Sequence, residues 1–201
     1  VPVFCLLSLA IGVGLNRANA AVMVYDDLWD VSRGTTISDH SLTKYFIYAG
    51  YTYSSAADMF GASNSAVEAG NTLWTDYYGA GTIHWVEWET PEPLRIERFN
   101  LVASHEDPYI RRSFDHFTLE AYSGGGWVTL YDADIPIPYG GGTNYTGITS
   151  LELNQSVASI VTASTFRAEF TQYGDTSTDA RGPRIRELDG YVTVVPEPAT
   201  L

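Results

Sequence analysis

Cysteine is nearly absent from these 201 residues: Cys5 is the only one. It lies in an apolar run, Val1–Leu15, that precedes Arg17-Ala-Asn-Ala20. An apolar run closed by Ala18-Asn19-Ala20 has the form of a secretory signal peptide with an A-x-A cleavage site. Residues 1–20 are read as that signal, truncated at its start, with a buried N-terminal element as the other reading. The mature chain would begin at Ala21 with no cysteine, so an exported domain would draw its stability from its core rather than from disulfides. Basic charge is scarce as well. Eleven Lys and Arg against 24 Asp and Glu leave a net charge of −13. That excludes nucleic acid as a partner, because phosphates need a basic surface, and it excludes a basic membrane-surface patch. The nucleophile motif G-x-S-x-G is missing. The four histidines, His40, His84, His105 and His116, show no H-E-x-x-H spacing. Pairs such as Glu87 and Glu89 share one strand face, but glycosidase chemistry needs two carboxyls across a cleft, which nothing in the sequence specifies.

What the chain does have is strands. Trp85–Thr90, Leu94–Ser104, Phe114–Tyr122 and Trp127–Tyr131 are separated by turn signals. Alternation is clearest in the third, where Phe117, Leu119 and Ala121 face one way and Thr118, Glu120 and Tyr122 the other. Pro91 and Pro93 bracket the first turn, and Ser123-Gly-Gly-Gly126 supplies the positive φ of a tight hairpin. Further strands are expected at Ala21–Tyr25, Lys44–Tyr48, Ile148–Leu153, Val157–Thr162, Phe166–Thr171 and Arg184–Val195. Between them lie polar loops at Ser32–Thr43, Ser63–Tyr78 and Ile135–Gly147, and one helical turn at Ala56–Phe60. Short strands at this spacing indicate an all-β sandwich. Trp85, Trp88 and Trp127 sit on strands and are expected in its core, and each histidine is expected at the surface or satisfied.

The order of several short motifs resembles the discoidin (coagulation-factor type C) domain and the family 32 carbohydrate-binding modules. The matching pieces are Thr72-Leu-Trp74, the strand Trp85–Thr90 with its proline turn, and Leu94-Arg-Ile-Glu-Arg-Phe-Asn-Leu101. Phe114–Tyr122 precedes a Gly-Gly-x-Trp-like hairpin, Gly125-Gly-Trp-Val128. Phe166-Arg-Ala-Glu-Phe170 and Gly182-Pro-Arg-Ile-Arg-Glu-Leu-Asp-Gly-Tyr191 resemble the last strands. The likeness covers about Asp27 to Val194 and implies a jelly-roll β-sandwich of the galactose-binding-like fold, with 21–194 as the domain. It further implies one structural Ca²⁺, held by a loop of the type Asp-Gly-x-x-x-Thr-x-Trp and a late Glu. Thr72 and Glu187 match that pattern. Glu68-Ala-Gly70 stands where the family has Asp-Gly, one residue closer, and Asn71 offers a further oxygen. The other reading has Asn71 and Thr72 organising a turn.

For ligand binding, the loop Ser104–Ser113 offers directed polar groups beside an aromatic ring: His105, Asp107, Tyr109, Arg111 and Arg112. Tyr77, Tyr78, Tyr139 and Tyr145, on other loops, are candidates to join it. The chain ends Val194-Val-Pro-Glu-Pro-Ala-Thr-Leu201, which resembles the start of a PEP-CTERM sorting signal, with Pro196, Glu197 and Pro198 as its motif. In that family an exosortase reads the signal, and a transmembrane helix and basic cluster follow it. Such a segment is the only expected contact with a membrane. Together these readings describe a non-catalytic protein exported to the surface or matrix of a Gram-negative cell, binding an extracellular polysaccharide or surface glycan. A purely structural envelope protein and a polysaccharide-acting enzyme are the alternatives.

Overall fold

The computed structural model describes residues 27–42, 55–61, 72–74, 80–106, 113–136, 148–173 and 182–192. The expected strands Ala21–Tyr25 and Lys44–Tyr48, the signal at 1–20 and the tail at 195–201 lie outside them. Among the described residues, nine strands form two antiparallel sheets. The first has the order β1 (Thr36–His40), β3 (Ile83–Arg95), β8 (Thr162–Gln172), β5 (Phe114–Ser123) and β6 (Gly126–Asp134). The second runs β2 (Thr72–Leu73), β9 (Arg184–Tyr191), β4 (Arg98–Glu106) and β7 (Ile148–Ser156). Crossing between sheets at almost every step is what a jelly-roll sandwich requires. Among the described residues no helix is long and apolar enough to cross a membrane.

Alternation decides what each strand buries. In β3, His84, Val86 and Trp88 are buried while Ile83, Trp85, Glu87 and Glu89 face out to varying degrees. Across the core Trp29 meets Trp88 edge-on at 4.9 Å and Phe166 at 5.3 Å. Phe117 lies against Phe170 at 5.1 Å and Phe99 against Tyr131 at 5.0 Å. Aromatic pairs in these geometries add about 0.5–1.5 kcal/mol each beyond the area they bury. The turn Gly124-Gly125 has φ of 63° and 88°, the conformation that makes glycine the residue for a two-residue hairpin. Ala56–Phe60 is a short 3₁₀ helix, started by a capping box in which the Ser55 hydroxyl accepts from the Ala57 amide and Asp58 accepts from the Ser55 amide.

Several boundaries differ from the sequence reading, and β2 lies inside the expected loop Ser63–Tyr78. Pro91 and Pro93 do not end a strand; β3 continues to Arg95, and the true turn is Ile96-Glu97. The prolines occupy an irregular stretch between the pairs Glu89–Thr165 and Leu94–Ala163, beyond the last β1 pair at Thr36. There β3 is an edge strand, where a missing N–H is tolerated. β1 lies inside the expected loop Ser32–Thr43; only Ile37 of its five residues turns inward, so it shows no alternating run. Val157–Val161 is a connector rather than a strand. It is tied on both sides, the Val157 amide donating to Glu97 and the Ala158 amide to Leu130. β4 runs on to Glu106, two residues past its expected end.

Trp88 is in the core as expected, but Trp85 and Trp127 are half-buried on the outer face of the first sheet. His84 is buried and satisfied by the Gln172 side-chain oxygen at 2.9 Å. His116 is partly exposed, with its two ring nitrogens 2.9 Å from Asp132 and from Asp134 on the edge strand β6. A neutral imidazole can donate only one such bond, so this geometry belongs to the imidazolium. The Asp134 hydrogen bond, chiefly, raises its pKa above the ordinary 6.5.

Two predictions follow from packing and charge. A Cβ on Gly190 would sit 2.6 Å from the Trp29 ring, which is fully buried and cannot retreat. Gly190→Ala should therefore cost about 1–3 kcal/mol of stability in denaturant unfolding, the usual cost of overpacking; an unchanged midpoint would refute the wedge. For His116 the folded pKa is raised, so its stabilisation is complete below pH 6.5 and lost as pH rises through the folded value. The wild-type melting temperature should carry a downward step above pH 6.5 that His116→Gln removes.

Candidate functional site

The C-terminal strand carries the alternation Glu187-Leu-Asp189. Against β4, Val102 pairs with Glu187 and Ala103 with Ile185, so Arg186 is an extra residue in the ladder. This bulge resets the parity of β9. Ile185 and Leu188 both enter the core, while Glu187 and Asp189 lie on the other side of the second sheet with Asn100, which alternates away from Phe99 and Leu101. All three polar residues are nonetheless buried, Glu187 being 4% and Asp189 3% exposed.

Asp27 completes the cluster. The segment 27–30 runs beside β9: the Leu28 amide donates to the Gly190 carbonyl, and the Gly190 amide donates back to Asp27 Oδ1 at 3.0 Å. Trp29 anchors this segment by packing where Gly190 has no side chain. The carboxylate oxygens of Asp27, Glu187 and Asp189 lie within 4.8 Å of one another. Asp189 accepts from the Tyr191 hydroxyl at 2.6 Å and from the Asn100 amide at 3.4 Å. Three buried oxygens have no hydrogen-bond partner: Asp27 Oδ2, Glu187 Oε1 and Asn100 Oδ1.

Crowding three carboxyls out of water disfavours their charged forms. Burial, then the Asp189 charge, raises Asp27 to about 7. Burial and the Asp189 charge push Glu187 up as well, and burial raises Asp189 against the opposing bonds from Tyr191 and Asn100. Such a site holds protons or a cation. Hard oxygen donors, several unsatisfied and close enough to share one ion, make this a cluster that could hold a metal ion.

Of the metal ligands expected from sequence, Glu187 is at the heart of this cluster. Thr72 lies on β2 opposite Ile185, and Glu68 and Asn71 fall outside the described residues. Asp27 and Asp189 were missed. Asp189 was within reach, as the i+2 partner of Glu187; Asp27 was not, since nothing in a polar Asp26-Asp-Leu-Trp-Asp30 run marks which strand it joins. Among the expected ligand-binding residues, His105 belongs to β4 and pairs with Thr149 of β7 rather than lying in a loop. Asp107, Tyr109, Arg111 and Arg112, with Tyr77, Tyr78, Tyr139 and Tyr145, are outside the described residues.

No family model matches the chain, and no curated protein does. Solved structures do match. The family 32 carbohydrate-binding module from Streptococcus pneumoniae EndoD is similar with TM-score 0.52 at 13% identity, covering 83% of this chain and 99% of that one. The C-terminal domain of a chitobiase from Bacteroides fragilis gives 0.51 at 16% identity, over 85% and 100%. Allantoicase from Saccharomyces cerevisiae gives 0.55 at 12% identity, over 83% of this chain but 42% of the enzyme. At these identities the likeness defines the fold: an all-β, discoidin-type sandwich of the galactose-binding-like class.

Proposed function

We propose that this chain is a non-catalytic, exported glycan-binding protein. The observation that carries the reading is the whole-domain likeness to a carbohydrate-binding module, which spans 99% of the EndoD module. The loop that follows β4 is the binding element of this proposal, with His105 at its base and Asp107, Tyr109, Arg111 and Arg112 along it. A row of directed donors beside an aromatic ring is the chemistry that orients a sugar. Export rests on Ala18-Asn19-Ala20, and exosortase sorting to the surface of a Gram-negative cell rests on Pro196-Glu-Pro198. The acidic cluster is proposed to hold one structural Ca²⁺, with Asp27, Glu187 and Asp189 as carboxylate ligands and Asn100 Oδ1 available as a neutral one. The ion would neutralise the buried charges and fasten the 27–30 segment to β9; it takes no part in a reaction.

A glycan array probed with the 201-residue chain tests the first part. Saturable binding that falls at least tenfold in His105→Ala and Arg112→Ala is expected. Failure across neutral and acidic polysaccharides would leave a structural envelope protein, and hydrolysis of any of them would overturn the non-catalytic reading. For the metal, Ca²⁺ at a hundredfold excess over its Kd should add about 2.7 kcal/mol. At about 2–4 °C per kcal/mol for a domain of this size, the melting temperature should rise by roughly 5–10 °C. EDTA should reverse the rise. Glu187→Gln should abolish it while leaving the metal-free protein about as stable, because the amide stands in for a carboxyl that burial already holds protonated. A melting temperature indifferent to both Ca²⁺ and EDTA would remove the metal from the proposal.

A further inference from the structure

The outer face of the first sheet carries side chains that neither the loop nor the metal cluster uses. Strand registers arrange them in rows. Glu87 of β3, Arg167 of β8 and Glu120 of β5 lie side by side in one row; Trp85, Glu169, Thr118 and Asp132 make the next. Tyr122 and Trp127 pair across β5 and β6 beyond Glu120, in edge-on contact at 5.4 Å. These side chains keep part of their surface in water, 18% for Glu120, 29% for Glu169 and 57% for Asp132.

Charge on this face is one-sided. Arg167 donates to Glu87 at 2.8 Å through Nε, and its Nη1 lies 3.5 Å from Glu169 and 3.9 Å from Glu120. One guanidinium is thus shared by three glutamates, and beside them the His116 ring is shared by Asp132 and Asp134, so acids still outnumber cations on the face. Partial burial, and then the Glu169 charge, disfavours the ionised form of Glu120 despite Arg167. The face has room for further positive charge. It also has aromatic surface: Tyr122 is 46% exposed, and the Arg167 guanidinium already lies over the Trp127 ring at 4.3 Å, the placement a cation takes on an electron-rich ring.

An ordinary solvated sheet face mixes charges of both signs. Acidic groups alone would suit any cation. Aromatic rings among them suit a cation that also presents flat C–H surfaces, as a pyranose does. We infer that the outer face of the five-stranded sheet is a second binding surface, for an amine-bearing, N-deacetylated polysaccharide. Its ammonium groups would pair with Glu120, Glu169 and Asp132, and its sugar rings would lie against Tyr122 and Trp127.

The test compares a β-1,4-linked glucosamine hexamer with its fully N-acetylated counterpart, titrated into the 201-residue chain at low salt and followed by calorimetry. The glucosamine hexamer should bind at least tenfold more tightly. Its affinity should fall fivefold or more in the Glu120→Gln/Glu169→Gln double variant and also in Tyr122→Ala. Asp132→Asn, at an exposed edge position, gives the same readout should the double variant fail to fold. Equal affinity for the two hexamers would overturn the inference, as would indifference to the carboxamide substitutions. A lysine hexapeptide that binds equally well, together with no loss in Tyr122→Ala, would assign the face to basic proteins and overturn it too. Loss in His105→Ala and Arg112→Ala with none in the sheet variants would support the loop and refute the sheet face.

Discussion

Trp29 is held by two opposite requirements. Its backbone neighbours are hydrogen-bonded to Gly190 of the second sheet, while its ring reaches Trp88 and Phe166 of the first. The ring fits only because position 190 has no Cβ. One side chain therefore joins the two layers of the sandwich and fixes the short segment that precedes it. Asp27 comes to Glu187 and Asp189 as a consequence of that wedge. The candidate metal cluster is in this sense a product of core packing, assembled from residues 160 positions apart by a tryptophan whose own amide donates to Asp27 Oδ1 at 2.9 Å.

The sandwich was legible because its strongest strands alternate without interruption. Phe117, Leu119 and Ala121 are buried and Thr118, Glu120 and Tyr122 are not, as the period of two requires. The glycine hairpin and the helical turn at Ala56–Phe60 were legible and have local causes, positive φ in one and a capping box in the other. What could not be read locally was anything set by neighbours. Pro91 and Pro93 signal a turn in isolation, yet an edge position lets the strand run through them. β1 has one inward side chain and leaves no pattern. Trp85 and Trp127 look like core residues by type, but strand parity puts them on the outer face, and parity outranks hydrophobicity when the two disagree.

The site divides along the same line. Glu187 was found through a resemblance in the last strand, and the bulge at Arg186 explains why a residue in an otherwise buried strand can be acidic: it is turned out of the core. Asp27 is a long-range partner, and no spacing rule reaches it. Thr72 sits on the strand beside β9, opposite Ile185.

The two sheets then treat the same residue types in opposite ways. Behind β9 the carboxylates are almost wholly removed from water, with oxygens left unsatisfied and with no basic side chain among the groups that shift their titration. A charge buried in that state is tolerable only with a proton or a small, fully dehydrated cation against it. On the outer face of the first sheet the glutamates keep part of their hydration and share one arginine. There the cost of leaving a charge unmatched is small, and a hydrated, extended cation can come and go. Degree of burial, rather than residue identity, separates a site suited to a permanent ion from a surface suited to reversible contact with a polymer.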